Sequence, residues 1–103
     1  MTDKTVYVVF AGNGEYSDRT EWPVAAYRLE TQAQEHVAAA TEWLLQHPRP
    51  ALSDYTDEKH TIRVQRWMKS NLYDPWYKGR SEYNFPERFW CAAVPMVTTV
   101  PKS

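Results

Sequence analysis

At 103 residues the chain can bury one hydrophobic core and not two, so residues 1–103 are read as a single domain. With 43% hydrophobic and 24% charged residues it is too apolar to stay disordered, and a net charge of −1 sets it apart from the strongly basic balance of dedicated nucleic-acid binders. No apolar run reaches bilayer length, "MTDKTVYVVF" lacks a signal-peptide pattern, and one cysteine, Cys91, excludes an internal disulfide framework; a cytoplasmic protein without membrane partners is expected.

The first predicted element is a strand, "TVYVVFA" (5–11), β-branched and aromatic throughout and ended by Gly12, Asn13 and Gly14. It reads as an interior strand. A second strand, "WPVAAYRL" (22–29), carries Pro23, which suits a strand start or a sheet edge because it donates no hydrogen bond. The stretch between them is too long for a two-residue turn, so the pair reads as a hairpin with an extended tip.

Thr31 opens a predicted helix, "TQAQEHVAAATEWLLQH", with Thr31 and Gln34 spaced as a capping box. Ala33, Val37, Ala40 and Leu44 give it one apolar face, Gln32, Glu35, Glu42 and Gln46 point away, and Pro48 and Pro50 stop it. Ser53 or Asp54 can cap a second helix over 56–70, although "TIRVQ" alternates as a strand would and the apolar residues keep no clean helical period. Helix is the reading carried forward. "WYKGRSEYNFPE" reads as a loop, and "RFWCAAVPMVTTV" as a last strand with Pro95 marking an edge or bulge. The order β-β-α-α-β implies an α+β domain: a small, mainly antiparallel sheet with helices packed on one face.

Charge is unevenly distributed. Residues 1–58 hold four Lys/Arg against ten Asp/Glu, and residues 59–103 hold eight against three. Within the basic part, Lys59, Arg63, Arg66 and Lys69 recur every three or four residues, so on a helix they would line one face able to follow a phosphate backbone or an acidic protein. The tip "GNGEYSDRTE" is acid-rich but lacks the spacing of a calcium loop and any phosphate-loop signature, which makes it a turn by chemistry. His36, His47 and His60 show no metal-ligand spacing, and no Ser or Cys has an identifiable base. His36 reads as a helix surface residue and Cys91 as a buried small hydrophobe. No cofactor, metal or catalytic group is expected. The 15% aromatic share exceeds what a core of this size buries, so some rings should lie on the surface; a monomer and a homodimer are both compatible with that.

The segments "GEYSDR", "VAAYRLE", "TQAQEHV", "YDPWY" and "VPMV", in this order, resemble small uncharacterised proteins of bacteriophages and prophages. The resemblance carries no catalytic residue. It implies a protein-binding role, foremost the inhibition of a host anti-phage defence protein by occlusion. On that expectation the contact set is Glu15, Tyr16 and Asp18 at the tip with Trp76 and Tyr77, and the partner is a host or phage protein. Nucleic acid bound by Lys59, Arg63, Arg66 and Lys69 is the alternative.

Overall fold

The computed structural model describes residues 4–14, 19–50, 58–75 and 85–96, with the backbone alone for 58–61. Five elements follow in the expected order: β1 (Thr5–Asn13), β2 (Thr20–Tyr27), α1 (Glu30–Gln46), α2 (Glu58–Ser70) and β3 (Arg88–Pro95). The three strands form one antiparallel sheet in the order β2-β1-β3, so β1 is interior as its unbroken apolar run requires. The α+β arrangement read from the sequence is the observed one.

Alternation sorts β1 into two faces. Val9, Ala11 and Asn13 point to the helix side and are buried, while Val6, Val8 and Phe10 point to the other. On β2 this alternation alone would fail, since counting back from Ala25 in steps of two would send Glu21 into the core. A bulge prevents it. Val9 pairs with Ala25 and Phe10 with Pro23, leaving Val24 as an extra residue; beyond it Trp22 faces Ala11 on the core side and Glu21 faces Gly12 on the other. Val24 itself is buried in the core.

The core gathers Val9, Ala11, Val24 and Phe89 from the sheet with Ala33 and Ala40 from α1, and Val37 and Leu44 pack against it. These are the helix positions whose spacing predicted an apolar face. The start of α1 differs from expectation. Leu29, not Thr31, is the N-cap and contributes no side-chain cap bond. Gln34 instead bonds the Glu30 carboxyl four residues earlier, at 3.0 Å, because Glu30 already lies in the first turn. The capping box therefore does not form.

The segment read ambiguously as helix or strand is α2. Val64 and Met68, four residues apart, are its buried pair, whereas Ile62 is exposed, which explains the irregular apolar period. Trp67 ties α2 to the end of α1: its indole N–H donates to the His47 carbonyl at 2.6 Å and its ring tilts against Trp43.

His36 is not a surface residue but a half-buried link between three segments. Its Nε2 lies 2.9 Å from the Tyr73 carbonyl, which can only accept, so Nε2 carries the proton and Nδ1 accepts from the Tyr27 hydroxyl at 2.8 Å. Beside it the 71–74 turn buries two polar side chains, Asn71 and Asp74, and Asp74 accepts the Trp22 indole N–H at 3.0 Å. Cys91 is half-buried rather than buried, packed at the margin of the core.

Candidate functional site

α1 covers one side of the sheet, and among the described residues no helix packs on the other. That open face is built by alternation and register: Val6, Val8 and Phe10 of β1, Pro23 and Ala26 of β2, and Trp90, Ala92 and Val94 of β3. These are all apolar; beyond Phe10 the same face continues with Gly12, flanked by Glu21 and Arg88. A solvated sheet face usually carries polar residues, so an apolar one needs an explanation.

At one end of it Phe10 and Trp90 stack with centroids 5.9 Å apart and planes within 16°. The Trp90 ring lies across Gly12: a Cβ there would sit 2.8 Å from both the Trp90 ring carbon Cη2 and the Thr20 carbonyl oxygen, so only glycine allows the ring this close. The Arg19 and Arg88 guanidiniums stand 5.5 and 5.9 Å from the Trp90 centroid. Arg88 also donates to the Gly14 carbonyl at 2.8 Å, and Arg19 pairs with Glu21 at 3.2 Å. At the opposite end Lys4 and Arg28 border a recess of about 310 Å³ with Val6 and Met96. Among the described residues the face is thus an aromatic and aliphatic platform with two cations at each end and one carboxylate, Glu21, among them.

The expected contact residues Glu15, Tyr16, Asp18, Trp76 and Tyr77 lie outside the described residues. Gly14 and Arg19, which bracket the tip residues in the sequence, sit at the Trp90 end of the open face. On α2, Arg63, Arg66 and Lys69 are exposed; the Lys59 side chain lies outside the described residues. The basic stripe and the open face are separate surfaces. A third feature, a cleft of about 270 Å³ between Leu44, Trp67 and Phe85, has Arg49 stacked 3.9 Å over the Phe85 ring. That guanidinium is engaged by the ring, and the cleft gathers no set of acid, base and nucleophile.

Among the described residues no group of three or more His, Cys, Asp or Glu could hold a metal ion, and no helix is long and apolar enough to cross a membrane. Neither a protein-family model, nor a curated protein, nor a solved structure matches the chain. The open face was missed in the reading of the sequence. The available signal was the lack of alternation in "VYVVF" and "FWCAAV", where both parities are apolar.

Proposed function

We propose that the chain is a non-enzymatic protein-interaction module whose contact surface is the open face of its sheet. The observation that supports this reading is the Phe10–Trp90 platform, on which no helix packs among the described residues, with cations at the ends of its face. An apolar surface holding Trp and Phe, edged by Arg and Lys, has the anatomy of a protein interface, and it suits a partner that presents apolar groups among carboxylates. The resemblance to phage accessory proteins makes that partner a host protein, held by occlusion of its working surface.

The test is capture from nuclease-treated bacterial lysate with tagged protein and with Ala26→Glu. Ala26 is exposed on the open face, opposite Val8, so the change adds a charge there without entering the core. The wild type should retain a stoichiometric protein, and the variant should bind it at least tenfold more weakly. Equal retention by a folded variant would rule out the open face as the contact surface.

Arg63, Arg66 and Lys69 favour a second reading, nucleic-acid binding by α2, because all three are exposed on a helix whose residues 62–70 include no carboxylate. Three phosphate contacts predict an affinity falling with a log–log salt slope of about −2 to −3, read by fluorescence anisotropy on a labelled oligonucleotide. A flat response would dismiss this reading.

A further inference from the structure

The sheet has two edges, and they differ. The β2 edge is blunted by Pro23, by the bulge at Val24 and by the Arg19–Glu21 pair at its start. On the β3 edge the proline and the charge stand only at the ends of the strand, Arg88 and Pro95: between them, from Phe89 to Val94, "FWCAAV", there is neither. Among the described residues no strand pairs with its outer side. The Met96 N–H bonds the Lys4 carbonyl at 2.7 Å, so even-numbered residues of β3 pair inward with β1. By the alternation of an antiparallel ladder, Phe89, Cys91 and Ala93 direct their N–H and C=O groups outward. Ala92, Ala93 and Val94 are exposed whichever face they point to. A bare apolar edge of this length is a template for another strand.

The sequence of the edge says which strand fits. Around Cys91 the side chains are arranged large-large before and small-small after: Phe89 and Trp90, then Ala92 and Ala93. Antiparallel pairing with a second copy, Cys91 opposite Cys91, places Phe89 opposite the other copy's Ala93 and Trp90 opposite its Ala92. Each ring meets an alanine, Phe89, Cys91 and Ala93 of both copies are hydrogen-bonded, Pro95 falls at the margin of the pairing where its missing N–H matters least, and the two Arg88 side chains stand about 20 Å apart at opposite ends. Any other register loses pairs or sets ring against ring.

We infer that this chain forms a two-fold homodimer through β3, joining two three-stranded sheets into one of six strands with Cys91 on the symmetry axis. This interface is isologous and stands whether or not the open face binds a host protein.

Two measurements test it on the intact chain: the mass in solution by light scattering across the micromolar range, and the linking of Cys91, the only thiol, by a short bis-maleimide. Opposed residues in a hydrogen-bonded pair have Cα atoms about 5.5 Å apart, well within reach of such a reagent. The wild type should have twice the chain mass and link rapidly and nearly completely. Ala93→Pro removes one outward N–H and leaves every bond to β1 in place, so it should yield a folded single copy that no longer links; Ala93→Lys, at the same exposed position, should weaken association at least tenfold. A wild type of single-chain mass throughout that range would overturn the inference. So would a dimer that survives both substitutions or leaves Cys91 unlinked.

Discussion

Deleting Val24 and replacing it with alanine are expected to cost the same, about 2 kcal/mol, and both variants should keep a cooperative thermal transition. Both changes remove the same buried side chain. The deletion also removes the bulge, but it does so without moving the register: with Val24 gone, Val9 still pairs with Ala25, Pro23 follows directly opposite Phe10, and Trp22 stays opposite Ala11 on the core side with Glu21 opposite Gly12 on the other. Only a strand that kept Val24 and paired it with Phe10 would turn Trp22 outward and carry Glu21 into the core. Circular dichroism melting of the two variants decides the matter: a deletion variant without a cooperative transition would mean that the bend of the bulge, and not only the Val24 side chain, holds β2 in place.

Asp74→Ala should lower stability by about 2–3 kcal/mol in urea unfolding, with Asp74→Asn losing clearly less. Asp74 is 1% exposed and accepts the Trp22 N–H, joining the turn after α2 to the edge strand β2 across 52 residues of sequence. Alanine removes this buried acceptor from the half-buried indole N–H, whereas asparagine keeps a carbonyl oxygen there. A cycle with Trp22→Phe separates this bond from the packing of the ring. If Asp74→Ala stays within about 0.5 kcal/mol of wild type, the bond contributes nothing to the fold.

Elements whose signal is local and periodic were legible. The apolar face of α1 follows from Ala33, Val37, Ala40 and Leu44 at helical spacing, and the interior place of β1 from a run that is apolar at both parities. What the sequence hid depends on residues far apart in the chain. His36 has the composition of an exposed helix position, and its burial depends on Tyr73, 37 residues on. Asp74 with Pro75 reads as punctuation after a helix; its role as an acceptor depends on Trp22. The bulge was illegible for a different reason: in "WPVAAY" the run Val24-Ala25-Ala26 is apolar throughout, so no alternation marks where one residue too many is inserted.

The candidate site divides in the same way. The basic positions on α2 were legible once the segment was taken as a helix, since three- and four-residue spacing fixes their common face. The open face could not be assembled from any one segment, because Phe10 and Trp90 become neighbours only through the pairing of β1 with β3. Composition announced surplus rings without saying where they would meet.

The strand order β2-β1-β3 also sets a timetable. β1 and β2 are joined by a short connection and can pair as soon as both have been synthesised, but the other side of β1 must wait for β3: Gly14 and Arg88, hydrogen-bonded in the finished sheet, are 74 residues apart. Until β3 leaves the ribosome, the nascent hairpin carries an apolar strand with one flank unpaired, the condition in which chains recruit chaperones or stick to one another. Translation speed between residues 28 and 88, rather than the stability of the final sheet, would then govern how much of the protein a cell recovers in usable form.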